Sequence, residues 1–207
     1  MTHSLHRRGT RENLKDDFVV LITPAVGINH NDSKDKLIKI LNKILELGPN
    51  NIGSYETGTV YSGATIQQIK EQLSETPRVR CCFDNPDKVE ELVAFIKESG
   101  CGLSVTVSGL IDDVKAIAAK TDISPHSINL SLGTFGKTEE LPEYVVLEFV
   151  TMCGHGMISS KLVEKLIDDV VKGRMSFEKA AMLMAQPCVC GIFNAKRAEE
   201  LLDKYVR

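Results

Sequence analysis

Leu103, Val105 and Val107 alternate with Ser104, Thr106 and Ser108, and this two-residue period is the strongest constraint the sequence places on its fold. Successive side chains of a strand point to opposite faces, so such a strand buries one face and keeps the other polar. A parallel sheet covered on both faces instead reads as near-continuous apolar strands. The same period recurs where Ile128, Leu130 and Leu132 alternate with Asn129 and Ser131. Apolar runs at 18–25, 79–83 and 144–150 predict further strands. Helical stripes lie between them: Leu37, Ile40, Leu41 and Ile44 after Asp32; Val89, Leu92, Val93 and Ile96 after Asn85-Pro86; and a third over 110–120.

Strands alternating with helices predict an α/β domain, with α+β as the related possibility. The polar strand faces favour a two-layer sandwich, a mixed sheet covered by helices on one side. With the strands aligned, Ser104, Thr106, Ser108, Asn129, Ser131 and Glu148 carpet the open face. That face is either solvated, or the floor of a polar-ligand site, or a homo-oligomer interface. Gly53, Gly58 and Gly63 suit a connecting hairpin or a loop approached closely by a ligand. Thr65 and Gln68 form a capping-box pattern that opens a short helix running to Ser74.

Three parts follow along the chain. Residues 1–16 are a polar arm, 17–150 the α/β core, and 151–207 a helical subdomain packed on that core. The arm is either a solvated tail or a cover that offers the guanidinium groups of Arg7 and Arg8 to an anion. In the last part, Leu162, Val163, Leu166, Ile167 and Val170 make one stripe ended by Gly173. Ser176 opens a second helix and Asn194 caps a third.

The helical subdomain also carries the chemistry. Thr-Met-Cys-Gly-His-Gly-Met at 151–157 and Gln-Pro-Cys-Val-Cys-Gly at 186–191 hold three of the six cysteines. Cys153, His155, Cys188 and Cys190 are four soft or borderline donors, a set that suits an iron–sulfur cluster or, alternatively, tetrahedral zinc. One residue between paired ligands is tighter than the two to four of ordinary zinc modules, and the ferredoxin cysteine run is missing. Three cysteines on a cluster would leave one iron open. Without metal, Cys153 beside His155 could act as a thiolate nucleophile or base. The remaining possibility is packed thiols, small hydrophobes in glycine-rich turns. Cys81 and Cys82 fall on opposite faces of their strand, so one of the pair could border the open face.

The pentapeptide Met152-Cys-Gly-His-Gly156 resembles the cysteine pentapeptide of proline racemases. The resemblance covers five residues, lacks that family's second cysteine motif, and implies only that Cys153 could move a proton.

Composition narrows the function classes. A net charge of −3 and a pI near 6.0 argue against a general nucleic-acid binder, and the absence of tryptophan with scarce aromatics argues against a base-stacking platform. No apolar run reaches the roughly 18 residues of a membrane span, and no signal-peptide core opens the chain, so a cytoplasmic location is expected. Reduced thiols then point to metal binding or catalysis. The reading is a metal-dependent enzyme of intracellular, anaerobic-type metabolism acting on a small polar or anionic substrate, as a lyase, isomerase or oxidoreductase. Cys153, His155 and Glu148 are its candidate catalytic residues, and Arg7, Arg8, Ser104 and Asn129 its candidate substrate contacts. The rival is a non-enzymatic metal- or cofactor-handling protein.

Overall fold

The computed structural model describes residues 2–73 and 78–206. Five strands form one sheet: β1 (Phe18–Thr23), β2 (Asn51–Ser54), β3 (Gly58–Thr59), β4 (Val79–Phe83) and β5 (Ser104–Ser108). Their order is β3-β2-β4-β1-β5, and every neighbouring pair is antiparallel, so the expected mixed sheet is antiparallel throughout.

The register divides the sheet into two faces. Phe18, Val20, Ile22, Val79, Cys81, Phe83 and Ile52 point to one side. They meet α2 (Ser33–Leu47), α4 (Pro86–Glu98) and α5 (Ile111–Lys120), whose stripes include Leu37, Ile40, Leu92, Ile96 and Ile117. This is the expected α/β pair of layers. Each fully buried Leu, Ile or Phe contributes about 1.5–3 kcal/mol of transfer free energy, so this core is the main source of stability. Of the capping signals read from the sequence, Asp32 precedes α2 but makes no side-chain cap bond, its backbone being left-handed at φ 58°; the others are present. Asn85 accepts from the Asp87 N–H with Pro86 in the first turn of α4, and Gly48 ends α2 with φ 66°. Thr65 and Gln68 complete a reciprocal box on α3 (Ile66–Glu71); the predicted end at Ser74 lies outside the described residues.

Val19 and Cys82 point the other way and join a second core made by α6 (Tyr144–Val150), α7 (Ser160–Val171), α8 (Phe177–Ala185) and α9 (Ala195–Val206). The face expected to be open is therefore the seat of the C-terminal helices. The polar arm, which carries α1 (Arg11–Leu14), crosses its β5 end, where Ser4 bonds to Ser108 at 2.8 Å.

Two expected strands are absent. Residues 144–150 form α6, because Val146 and Phe149 lie three residues apart on one helical face and bury against α7 and α8. A seven-residue apolar run does not by itself separate strand from helix. Residues 128–132 are irregular and exposed: Ile128 is 52%, Leu130 66% and Leu132 90% accessible. Alternation marks a segment able to pair, and none of the sheet's ladders reaches this one. No helix among the described residues is long and apolar enough to cross a membrane.

Candidate functional site

Two loops of the C-terminal helices bring three cysteines together over β2 and β4. The first, 151–159, follows α6; the second, 186–194, joins α8 to α9. Gly191 seats the second loop. Its φ is 78°, and a Cβ there would lie 2.5 Å from the Gly53 nitrogen and 2.8 Å from the Ile52 carbonyl carbon. Only two facing glycines allow backbone to approach backbone this closely. The loop is then pinned to the sheet. Asn51 Nδ2 donates to the Phe193 carbonyl at 3.0 Å, Cys82 Sγ reaches the same oxygen at 3.5 Å, and Asn50 Nδ2 donates to Asn194 Oδ1 at 3.1 Å. Asn194 caps α9 as expected, accepting from the Arg197 N–H at 3.1 Å.

Arg7 holds both loops at once. Its guanidinium donates to the Met152 carbonyl at 3.1 Å, to the Ile192 carbonyl and to Asp17. Asp17 is fully enclosed and also pairs with Arg197 at 3.0 Å. Burial opposes its ionisation, but Arg7 and Arg197 prevail and hold its carboxyl below the ordinary range. The arm therefore does fold over the site. Arg7 spends its Nη donors on protein groups and so positions the two loops.

Cys153, Cys188 and Cys190 are all 0% exposed, whereas His155 lies at the surface. Cys188 Sγ is 3.8 Å from Cys190 Sγ, and Cys190 Sγ is 3.6 Å from His155 Nδ1. Cys153 interacts with Cys188, and that interaction together with burial pushes its thiol up. For Cys188 the contact with Cys153 lowers the pKa, but the contact with Cys190 and burial outweigh it and raise the thiol. Cys190 is lowered, chiefly by its bond with Cys188, with the nearby Arg80 helping against burial. Backbone amides favour ionisation of each thiol: those of His155 and Met157 for Cys153, of Phe193 for Cys188, and of Ile192 for Cys190. Such amides are the usual outer support of thiolate sites.

A tetrahedral ion held by thiolates at about 2.3 Å and imidazole at about 2.0–2.1 Å sets edges of about 3.8 Å between sulfurs and about 3.6 Å from sulfur to nitrogen. The two measured separations match these edges. The match is pairwise: among the described residues, no group of three or more His, Cys, Asp or Glu stands in metal-holding geometry.

The other candidates lie elsewhere. Glu148 is on a helix, not a strand; it is 0% exposed and accepts from Asn13 Nδ2 at 2.9 Å and from the Tyr205 hydroxyl. Those bonds make it an anchor between the arm, α6 and α9. Arg8 donates to Thr134 beside an open pocket of about 370 Å³ formed by the arm, α6 and residues 131–141. None of the three site cysteines lines that pocket. Ser104 and Asn129 are exposed, on the edge strand and in the irregular 128–132 stretch, and no bond joins either to the cysteines. Sequence reasoning missed Arg80, Asp17 and Asn51. The available signal for Arg80 was a cation inside the otherwise uncharged strand Val-Arg-Cys-Cys-Phe. For Asp17 and Asn51, nothing local separates a buried anchor from a surface polar residue. Compared with protein-family models, curated proteins and solved structures, the chain matches none.

Proposed function

We propose that Cys153, Cys188, Cys190 and His155 hold a single soft divalent cation of the zinc type, and that the chain is a metal-dependent enzyme acting on a small polar or anionic molecule. The observation that carries this reading is the pair of separations, 3.8 Å between sulfurs and 3.6 Å from sulfur to imidazole, each equal, pair by pair, to an edge of a tetrahedral site. A four-iron cluster binds each thiolate to a different iron and spreads the sulfurs beyond such an edge, so zinc is favoured over the cluster. Loading needs the thiols to turn toward a common point and to lose their protons, which a divalent cation drives. The asymmetry of exposure supports an enzyme: three sulfurs are enclosed, while His155 faces solvent where water or substrate can take a ligand's place. Such an ion supplies Lewis acidity toward a hydroxyl or carboxylate. Enclosed thiols argue against a metal carrier, which needs accessible sulfur, and the raised Cys153 argues against a metal-free thiolate enzyme.

The test is anaerobic purification with metal analysis and cobalt substitution. About one zinc per chain, thiolate-to-cobalt charge-transfer bands, and their loss in Cys188→Ser and Cys190→Ser are expected. A brown protein with iron and sulfide would replace zinc with the cluster. Metal content that ignores both substitutions would refute the site.

A further inference from the structure

Arg80 lies in the middle of β4, in register with Leu21 of β1 and Gly53 of β2, on the face that carries Cys82. It is 5% exposed. Its Nε and Nη1 are enclosed and have no hydrogen-bond partner. Among the described residues, the other two buried guanidiniums differ: Arg7 and Arg197 are both paired with Asp17 and leave only Nε unmet. A buried cation with most of its donors idle is a costly arrangement, and it is relieved only by an acceptor. What surrounds Arg80 does not supply one. Tyr55 presents its ring 5.6 Å from the guanidinium, and Cys190 is the acidic group that attracts it most. Glu56 adds a weaker attraction, and Arg78 a repulsion.

We propose that Arg80 anchors a small oxoanion, a carboxylate or phosphate group, of the molecule that reacts at the cysteine centre. The guanidinium offers planar N–H donors suited to such oxygens. Gly53, its register partner on β2, is the residue against which Gly191 packs, so the anchored group lies beside the loop that carries Cys190, which itself touches His155. Tyr55 is the door. It sits in the turn between β2 and β3, is 59% exposed, and can swing off the guanidinium without disturbing the core. The position of the anion relative to the reaction rests on the metal-centre reading; the Arg80 anion site itself does not.

The test uses full-length protein labelled with 15N-arginine, in zinc-loaded and chelated forms. Acetate and phosphate are titrated at constant ionic strength against chloride, and the Arg80 Nε–H resonance is followed, assigned by its loss in Arg80→Lys. A saturable shift and slowed proton exchange with acetate or phosphate, but not chloride, are expected. Arg80→Gln should weaken the accompanying thermal stabilisation about tenfold in apparent Kd while keeping its metal. Response to acetate alone assigns a carboxylate; response to phosphate alone assigns a phosphate. If Arg80→Gln does not fold, Arg80→Lys, which keeps the charge but loses the fork, serves as the variant. The inference is overturned if the Nε–H ignores both anions in both forms, or if the variant keeps the stabilisation. It is also overturned if only chelated protein responds, because Arg80 then serves the centre's own charge. An Arg80 response in protein that never holds metal sustains the anion site and removes the metal centre.

Discussion

Replacing Gly191 by alanine isolates the contact that seats the cysteine loop on the sheet. Two costs are expected. The backbone at φ 78° is left-handed, which costs a residue with a Cβ roughly 1–2 kcal/mol. The new methyl would also lie 2.5 Å from the Gly53 nitrogen, 2.8 Å from the Ile52 carbonyl carbon and 3.0 Å from the Gly53 Cα. These are backbone atoms inside a paired sheet, so relief requires the loop to lift, and overpacking of this kind costs about 1–3 kcal/mol. The sum is roughly 2–5 kcal/mol. Gly173 is the control, because its φ is 66° and a methyl added there would meet nothing within 4 Å. Gly173→Ala therefore carries the backbone cost alone. The variants are compared by urea unfolding followed by circular dichroism, under reducing conditions. With an m value of about 2–3 kcal/mol/M for a chain of this size, Gly191→Ala should unfold at a midpoint roughly 0.3–1.5 M below that of Gly173→Ala. Its Cys188 and Cys190 should also become the faster pair to alkylate. Equal midpoints for the two variants would refute the close approach and, with it, the placement of Cys190 over β2.

Asp17→Asn leaves Arg7 and Arg197 as uncompensated buried cations and should destabilise by about 3–5 kcal/mol, read as a lowered urea midpoint. Because the Asp17 carboxyl is depressed on folding, its contribution is present above the unfolded aspartate value of about 3.9 and is lost as pH falls from there through the folded value. Acid titration of stability should therefore be flatter in Asp17→Asn than in the parent, and an unchanged slope would count against the buried pairing. In chelated protein, iodoacetamide followed by mass spectrometry should modify Cys190 before Cys153 and Cys188, since Cys190 alone of the three is lowered. Cys153 reacting first would contradict the order.

Where one side chain controls its own neighbourhood, the sequence was a good guide. Asn85-Pro86, Thr65 with Gln68, Ser176 and Asn194 act as caps through atoms a few bonds away, and each does so in the fold. The period-2 strand at 104–108 forms for the same reason, as does the split of Cys81 and Cys82 onto two faces. Glycines on both sides of His155 and after Cys190, and cysteine close to histidine, pointed to Cys153, His155, Cys188 and Cys190, and the fold brings Cys188, Cys190 and His155 within contact range, with Cys153 against Cys188.

Other features were decided only by long-range packing. Residues 144–150 carry an apolar run compatible with either period, and α7 and α8 select the helix. Residues 128–132 carry a strand pattern that no ladder takes up, because alternation specifies a face and not a partner. Arg7 and Arg8 are adjacent and chemically alike, yet one is buried against Asp17 and two loop carbonyls while the other reaches Thr134 at the edge of a pocket. The sequence thus determined which residues could cap, alternate and bind. Which buried charges are paired, and that Arg80 is left with idle donors beside the cysteines, are set by contacts between residues far apart in the chain, and only the tertiary structure decides them.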